Sequence, residues 1–166
     1  MIFTDLSAGE SVFLDANTIV YRFSLHPKYG PACTDLFDRI ERKELMGFAS
    51  THVLSETLHR LMTLEAITLF QWPQANIGNR LRNNPAEVQK LVQFRTAIDK
   101  VLQSNLQTLT VEPHLLGTAA ALSQQIGLLA NDALIVAVMQ AHGLSNIATE
   151  DADFDRVPGL TRYAPV

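Results

Sequence analysis

The sequence predicts an α/β fold, a mainly parallel sheet flanked by helices in three layers. Three observations carry this. Short apolar runs suited to strands, at 11–14, 46–49, 109–111 and 144–149, alternate with longer stretches at helical spacing. The unbroken apolar run from Ala133 to Met139 predicts a helix with no polar face, which must be buried. Acidic residues also stand where strand-like runs end, and that is the edge at which parallel α/β sheets gather ligands.

Residues 1–10 are polar and contain glycine, and they read as a loose lead-in. Ser11 to Leu14 is a short buried strand ending at Asp15. Ala16 to Phe23 resumes an apolar pattern of helical kind, so Asp15 is equally placed to cap a helix. Pro27 to Pro31 is a break, and Pro31 suits a first helical turn. Cys33, Leu36, Phe37 and Ile40 then mark an amphipathic helix. Met46 to Ala49 is a second strand. Ser50 or Thr51 caps the next helix, which carries Val53, Leu54, Leu58, Leu61, Met62 and Leu64. Glu56 lies in its second turn, where a solvated glutamate is the ordinary reading. His52 and His59 have the wrong spacing for a zinc pair, and no third ligand is evident.

The pattern weakens from Phe70 to Pro85 and becomes helical again from Glu87 to Leu106. Helices over about 52–70 and 86–105 predict a protruding hairpin extension at about 65–105. Arg80 and Arg82 belong to its solvated tip, and Trp72 is expected to pack on the hairpin. Leu109 to Val111 is a third strand, and Pro113 opens a helix that Gly127 ends. Asn131 or Asp132 is placed to cap the buried helix, which His142 and Gly143 stop. Leu144 to Thr149 is a strand, followed by Glu150, Asp151, Asp153 and Asp155. Pro158-Gly159 is a turn before a candidate edge strand at Leu160 to Tyr163.

The 166 residues predict one domain spanning 1–166. A hydrophobic share of 47% excludes disorder. The net charge of −4 argues against general nucleic-acid binding, so any such site is local or neutralised by cations. The single cysteine, Cys33, excludes an intrachain disulfide and a cysteine-rich zinc site. No signal peptide is expected, nor any apolar run of the ~18 residues that a membrane span needs. A cytoplasmic protein is expected.

In such a sheet Asp15, Glu56, Asp132 and the 150–155 cluster can converge on one cleft. Carboxylates gathered there stay ionised together only if cations compensate. Hard oxygen ligands without a cysteine or histidine set point to Mg²⁺ or Mn²⁺. Such ions generate hydroxide from bound water and stabilise a phosphate attacked in line.

The carrying motifs are Phe13-Leu14-Asp15-Ala16-Asn17, Ser55-Glu56-Thr57-Leu58, Asn131-Asp132-Ala133-Leu134-Ile135 and Ala148-Thr149-Glu150-Asp151-Ala152-Asp153-Phe154. In order and spacing they resemble the PIN-domain nucleases over nearly the whole chain, in particular the VapC toxins of bacterial toxin–antitoxin pairs. The resemblance implies a PIN-like three-layer fold and a metal-dependent endoribonuclease that leaves a 5′-phosphate. Carried over by position, Asp15, Glu56, Asp132 and Asp151 would be the catalytic, metal-binding acids. Asp153 matches a further metal-site acid, and Asn17 and Thr149 match supporting polar positions. An RNA substrate, a small antitoxin partner and a homodimer are implied as well. The 65–105 segment is longer than in compact members.

Three rival readings fare worse. A haloacid-dehalogenase-like phosphatase needs Asp-x-Asp after the first strand, where this chain has Asp15-Ala16-Asn17. An EF-hand loop starting at Asp151 would place Arg156 where glycine is required and Arg162 where glutamate is required. A non-catalytic PIN-like scaffold or protein-binding module would have lost one of the acids, and all are present.

Overall fold

The structure is a computed structural model of residues 1–166. Its sheet has five strands: β1 (Ser11–Leu14), β2 (Met46–Ser50), β3 (Gln107–Leu109), β4 (Asn146–Ala148) and β5 (Thr161–Tyr163). Every pairing is parallel and the order is β3-β2-β1-β4-β5. The expected α/β class therefore holds, with a sheet parallel throughout. The flanking helices are α1 (Ala16–Phe23), α2 (Gly30–Glu41), α3 (Thr51–Phe70), α4 (Ile77–Asn83), α5 (Pro85–Val88), α6 (Gln93–Gln103), α7 (His114–Ile126) and α8 (Ala130–Ala141). No single helix is long and apolar enough to cross a membrane.

Burial explains the order. Val12, Phe13 and Leu14 of β1 are fully buried, as the central strand of a covered sheet requires. Phe13 stands opposite Phe48 of β2 on one side and Ile147 of β4 on the other. Residues 133–139 of α8 are all buried, so the helix with no polar face lies in the core. The chain leaves β1 for β2 and β3, then returns to the other side of β1 as β4 and β5. The strand order thus reverses between β1 and β4, and a crevice opens at such a point beyond the strand ends. Asp15 follows β1 and Thr149 follows β4 at that crevice.

Four local expectations need correction. The lead-in is docked rather than loose: Phe3 and Leu6 are buried, a 3₁₀ turn covers Phe3–Asp5, and Ile2 bridges Ala164. The third strand lies at Gln107–Leu109, two residues before the apolar run that marked it. Neither Asn131 nor Asp132 caps α8, because the helix starts at Ala130 with Leu129 at the cap position. The asparagine and aspartate side chains fall inside the first turn instead. The expected helix at 86–105 is split into α5 and α6.

Glu65 of α3 fixes where the second helix begins. Its carboxylate accepts the backbone N–H groups of Val92 (2.8 Å), Gln93 (3.0 Å) and Phe94 (2.8 Å), so a new helix start is fixed there. Trp72 does pack locally, 4.8 Å from Phe70, over the small cluster of Ala66, Leu81 and Leu91. Replacing Glu65 by alanine should cost about 1–2 kcal/mol, as the loss of a good helix cap does. Amide hydrogen exchange at 92–96 should quicken; unchanged exchange would refute this role.

Candidate metal centre

Asp15 is the N-cap of α1, as the cap reading expected, and it also lines the crevice. Its Oδ1 accepts the N–H of Ala16 at 2.7 Å. Its Oδ2 accepts the Thr149 hydroxyl at 2.9 Å and the Asn17 amide at 3.3 Å. Thr149 is fully buried, and its oxygen accepts the N–H of Asp151 at 3.1 Å. Thr149 thereby ties the β1 acid to the acid loop after β4. Thr18 adds a second tie by donating to the Ala148 carbonyl at 2.8 Å.

The acid loop sorts itself by partner. Glu150 accepts the hydroxyls of Tyr21 (2.7 Å) and Tyr29 (2.6 Å), which hold its carboxyl below the usual range. Asp155 pairs with Arg162 at 2.8 Å, which lowers its carboxyl likewise. Asp151, which no cationic side chain pairs, lines the crevice, and Asp153 stands beside it paired with Arg156. Asp151 Oδ1 accepts the N–H of Asp153 at 2.8 Å, while Asp153 contacts Arg156, which also donates to the Gly127 carbonyl at 3.2 Å.

Asp132 joins them. α8 leads into β4 through residues 142–145, so its start lies back at the edge where β4 ends. Carboxylate oxygens of Asp132, Asp151 and Asp153 all lie within 4.8 Å of one another. Asp15, Asn17, Glu56, Asp132 and Asp151 line one open cleft of about 450 Å³. Glu56, half-buried one and a half turns into α3, completes the wall. The expected site residues therefore meet at one place, with Asp153 beside the cleft and Thr149 beneath it.

Crowding shifts the acids. Asp132 is pushed up to about 6, first by burial and then by the charges of Asp151, Asp15, Asp153 and Glu56. Burial raises Asp15 as well, against the bonds from Thr149 and Ala16. A carboxyl raised in the folded state disfavours folding once it ionises, so stability falls as pH climbs from about 4 through 6. Metal-free protein should thus melt higher at pH 5.5 than at pH 7.5. Mn²⁺ should raise the melting temperature strongly at pH 7.5 and weakly at pH 5. A thermal scan in which Mn²⁺ does nothing at pH 7.5 would refute a metal centre.

The donor set fits a hard divalent cation. The cleft's polar lining is four carboxylates, the amides of Asn17 and Asn131 and the guanidinium of Arg60, with no histidine or cysteine. The buried Oδ1 of Asn17 has no hydrogen-bond partner in the chain, which leaves an acceptor for a ligand in the cleft. Sequence reasoning missed two contributors. Arg60, also lining the cleft, looks like any solvated helix charge when read in order. The Tyr21–Glu150–Tyr29 contact joins residues more than a hundred positions apart, and no local pattern announces it.

A parallel sheet with a carboxylate-rich cleft at its switch point defines an α/β protein whose acids could hold a hard cation. The PIN domain family model matches residues 12–160, and the chain belongs to that family. No curated protein sequence matches it. Among solved structures it is similar to VapBC2 from Rickettsia felis bound to a promoter DNA fragment, with TM-score 0.58, 19% identity and coverage of 94% of this chain and 99% of that one. It is also similar to Mycobacterium tuberculosis VapC20, a sarcin–ricin loop cleaving toxin, with TM-score 0.60, 18% identity and coverage of 87% and 92%. A toxin–antitoxin complex from Klebsiella pneumoniae aligns with TM-score 0.51, 19% identity and coverage of 90% and 95%.

Proposed function

We propose that this chain is a Mg²⁺- or Mn²⁺-dependent endoribonuclease and the toxin of a toxin–antitoxin pair. The observation that carries the reading is the carboxylate group of Asp132, Asp151 and Asp153, within 4.8 Å of one another beside Asp15 and Glu56. Membership of the PIN family supports it, and so do the toxins among the similar structures, one of which cleaves the sarcin–ricin loop. Two of those structures are toxin–antitoxin complexes, which supports a small antitoxin as partner. The chain works as one domain over 1–166, as a homodimer, in the cytoplasm.

Asp15, Glu56, Asp132 and Asp151 would hold the ion, with Asp153 as a further ligand. A bound ion of this kind supplies hydroxide from water at neutral pH and offsets the charge building on the phosphate. The bond from the water oxygen to phosphorus forms as the bond to O3′ breaks, leaving a 5′-phosphate and a 3′-hydroxyl. Thr149 keeps Asp15 and the Asp151 backbone in fixed relation, so the ligands are placed before substrate arrives. Asn17 offers its free amide oxygen to water or substrate in the cleft.

The test is cleavage of a mixed structured-RNA pool with Mn²⁺ and with EDTA, using protein freed of any partner. Cleavage that needs the metal supports the nuclease. Well-folded protein that neither cuts RNA nor binds Mn²⁺ by calorimetry would leave a non-catalytic PIN-like scaffold.

A further inference from the structure

Arg60 is the one cationic side chain lining the acidic cleft. It sits one turn beyond Glu56 on α3, and its nearest acid contact is Nη1 to Glu56 Oε1 at 3.6 Å. That separation is an ion pair and not a hydrogen bond. The guanidinium makes no hydrogen bond within the chain, so its whole donor fork is free, and the side chain is 39% exposed. The other arginines near the site are engaged. Arg156 donates to Asp153 and the Gly127 carbonyl, and Arg162 donates to both oxygens of Asp155.

A partly exposed glutamate pairing at this distance gives little stability. It does not account for an unspent guanidinium in a cleft. A guanidinium fork matches two oxygens of a phosphate. An RNA backbone must also enter a cleft lined by Asp15, Glu56, Asp132 and Asp151 in a chain of net charge −4. A fixed positive group among those acids is where a phosphate would be received.

Resting on the nuclease reading above, we propose that Arg60 binds the RNA phosphate at or next to the bond being cut, donating to its non-bridging oxygens. Glu56 then has two tasks, holding the ion and orienting the arginine. The competing role for Arg60 is a plain counter-charge for Glu56, and the two roles separate experimentally.

In the test, Arg60→Ala and Arg60→Lys are compared with wild type for cleavage of the structured-RNA pool and for Mn²⁺ affinity by calorimetry. RNA binding is read by fluorescence anisotropy across salt concentrations, with the Arg60 changes placed in an Asp15→Asn background that does not cut. Arg60→Ala should lose about 10²-fold or more in kcat/KM, as removal of one charge-stabilising donor does. Its Mn²⁺ affinity should be unchanged or tighter. Its salt slope for RNA binding should be shallower by about 0.7–0.9, the share of one phosphate contact. Arg60→Lys should restore the slope and part of the rate. An unchanged slope, or a rate loss matched by weaker Mn²⁺ binding, overturns the assignment and leaves the counter-charge. Wild type that neither binds nor cuts the pool refutes the nuclease reading and this inference together. Wild type that does both, with Arg60→Ala unaffected, refutes only the role of Arg60.

Discussion

Asp15→Asn is expected to lower metal-dependent cleavage by about 10³-fold or more while raising the melting temperature of metal-free protein at pH 7.5. The two effects share one cause. Asp15 is only 7% exposed, and burial lifts its carboxyl above the usual range. Below the ordinary carboxylate value both folded and unfolded chains carry the proton, and no penalty arises. Above the folded value the ionised group sits desolvated among other acids, and the folded state loses stability. Asparagine removes the charge and with it that loss. It also keeps the capping work, while the buried Thr149 hydroxyl loses its carboxylate acceptor and must turn to accept from the new amide, which offsets part of the gain. Asparagine caps helices as well as aspartate does, so the Ala16 N–H keeps its acceptor. The new amide N–H₂ meets Asn17, whose unpartnered Oδ1 can turn to receive it. The checks are initial cleavage rates in Mn²⁺ and melting scans in EDTA from pH 3.5 to 8. The gain in melting temperature should vanish near pH 3.5. A variant that melts lower than wild type at pH 7.5 would show that Asp15 is chiefly a structural cap.

The same residue shows what could be read in advance. Asp15, Asp132 and the 150–155 acids were legible because each follows a strand-like run or starts a helix, and parallel sheets bring those points to one edge. Burial of 133–139 was legible because seven apolar residues leave a helix no wet side. Tertiary choices were not legible. Four acids crowd residues 150–155, and order alone does not rank them. Tyr21 and Tyr29 do so by engaging Glu150 from more than a hundred residues away, and Arg162 of β5 does so by engaging Asp155. Val88, Leu91, Val92 and Phe94 keep helical spacing, yet the helix breaks after Val88 and Glu65 starts a new one by accepting three N–H groups from another element. Met1 to Phe3 and Leu6 are interrupted by Thr4 and Asp5 and form no helix or strand period, and only the folded molecule shows the core reaching Phe3 and Leu6. Arg60 escaped notice because an i,i+4 pair with Glu56 is the ordinary pattern of a solvated helix face.

The largest loss of stability is expected from Phe13→Ala, about 3–5 kcal/mol. Phe13 is fully buried at the centre of the middle strand, between Phe48 and Ile147. Truncation removes a whole ring from water-free surroundings and leaves a void that two flanking strands cannot collapse into without breaking their ladders. Against a total stability of roughly 5–15 kcal/mol, that takes a large share. Urea denaturation should show a lower midpoint with an unchanged slope. Phe13→Leu should cost about 1.5 kcal/mol or less, because the volume is nearly kept. Phe13→Leu should also still cut RNA, since Asp15 is held by Ala16, Asn17 and Thr149 and not by the ring. Phe13 and Asp15 lie two residues apart at the end of β1, yet they pull stability in opposite directions. The strand's apolar residues must therefore supply an excess that the charged end consumes. A loss under about 1 kcal/mol for Phe13→Ala would contradict that division, and β1 could not then be what holds the acids in place.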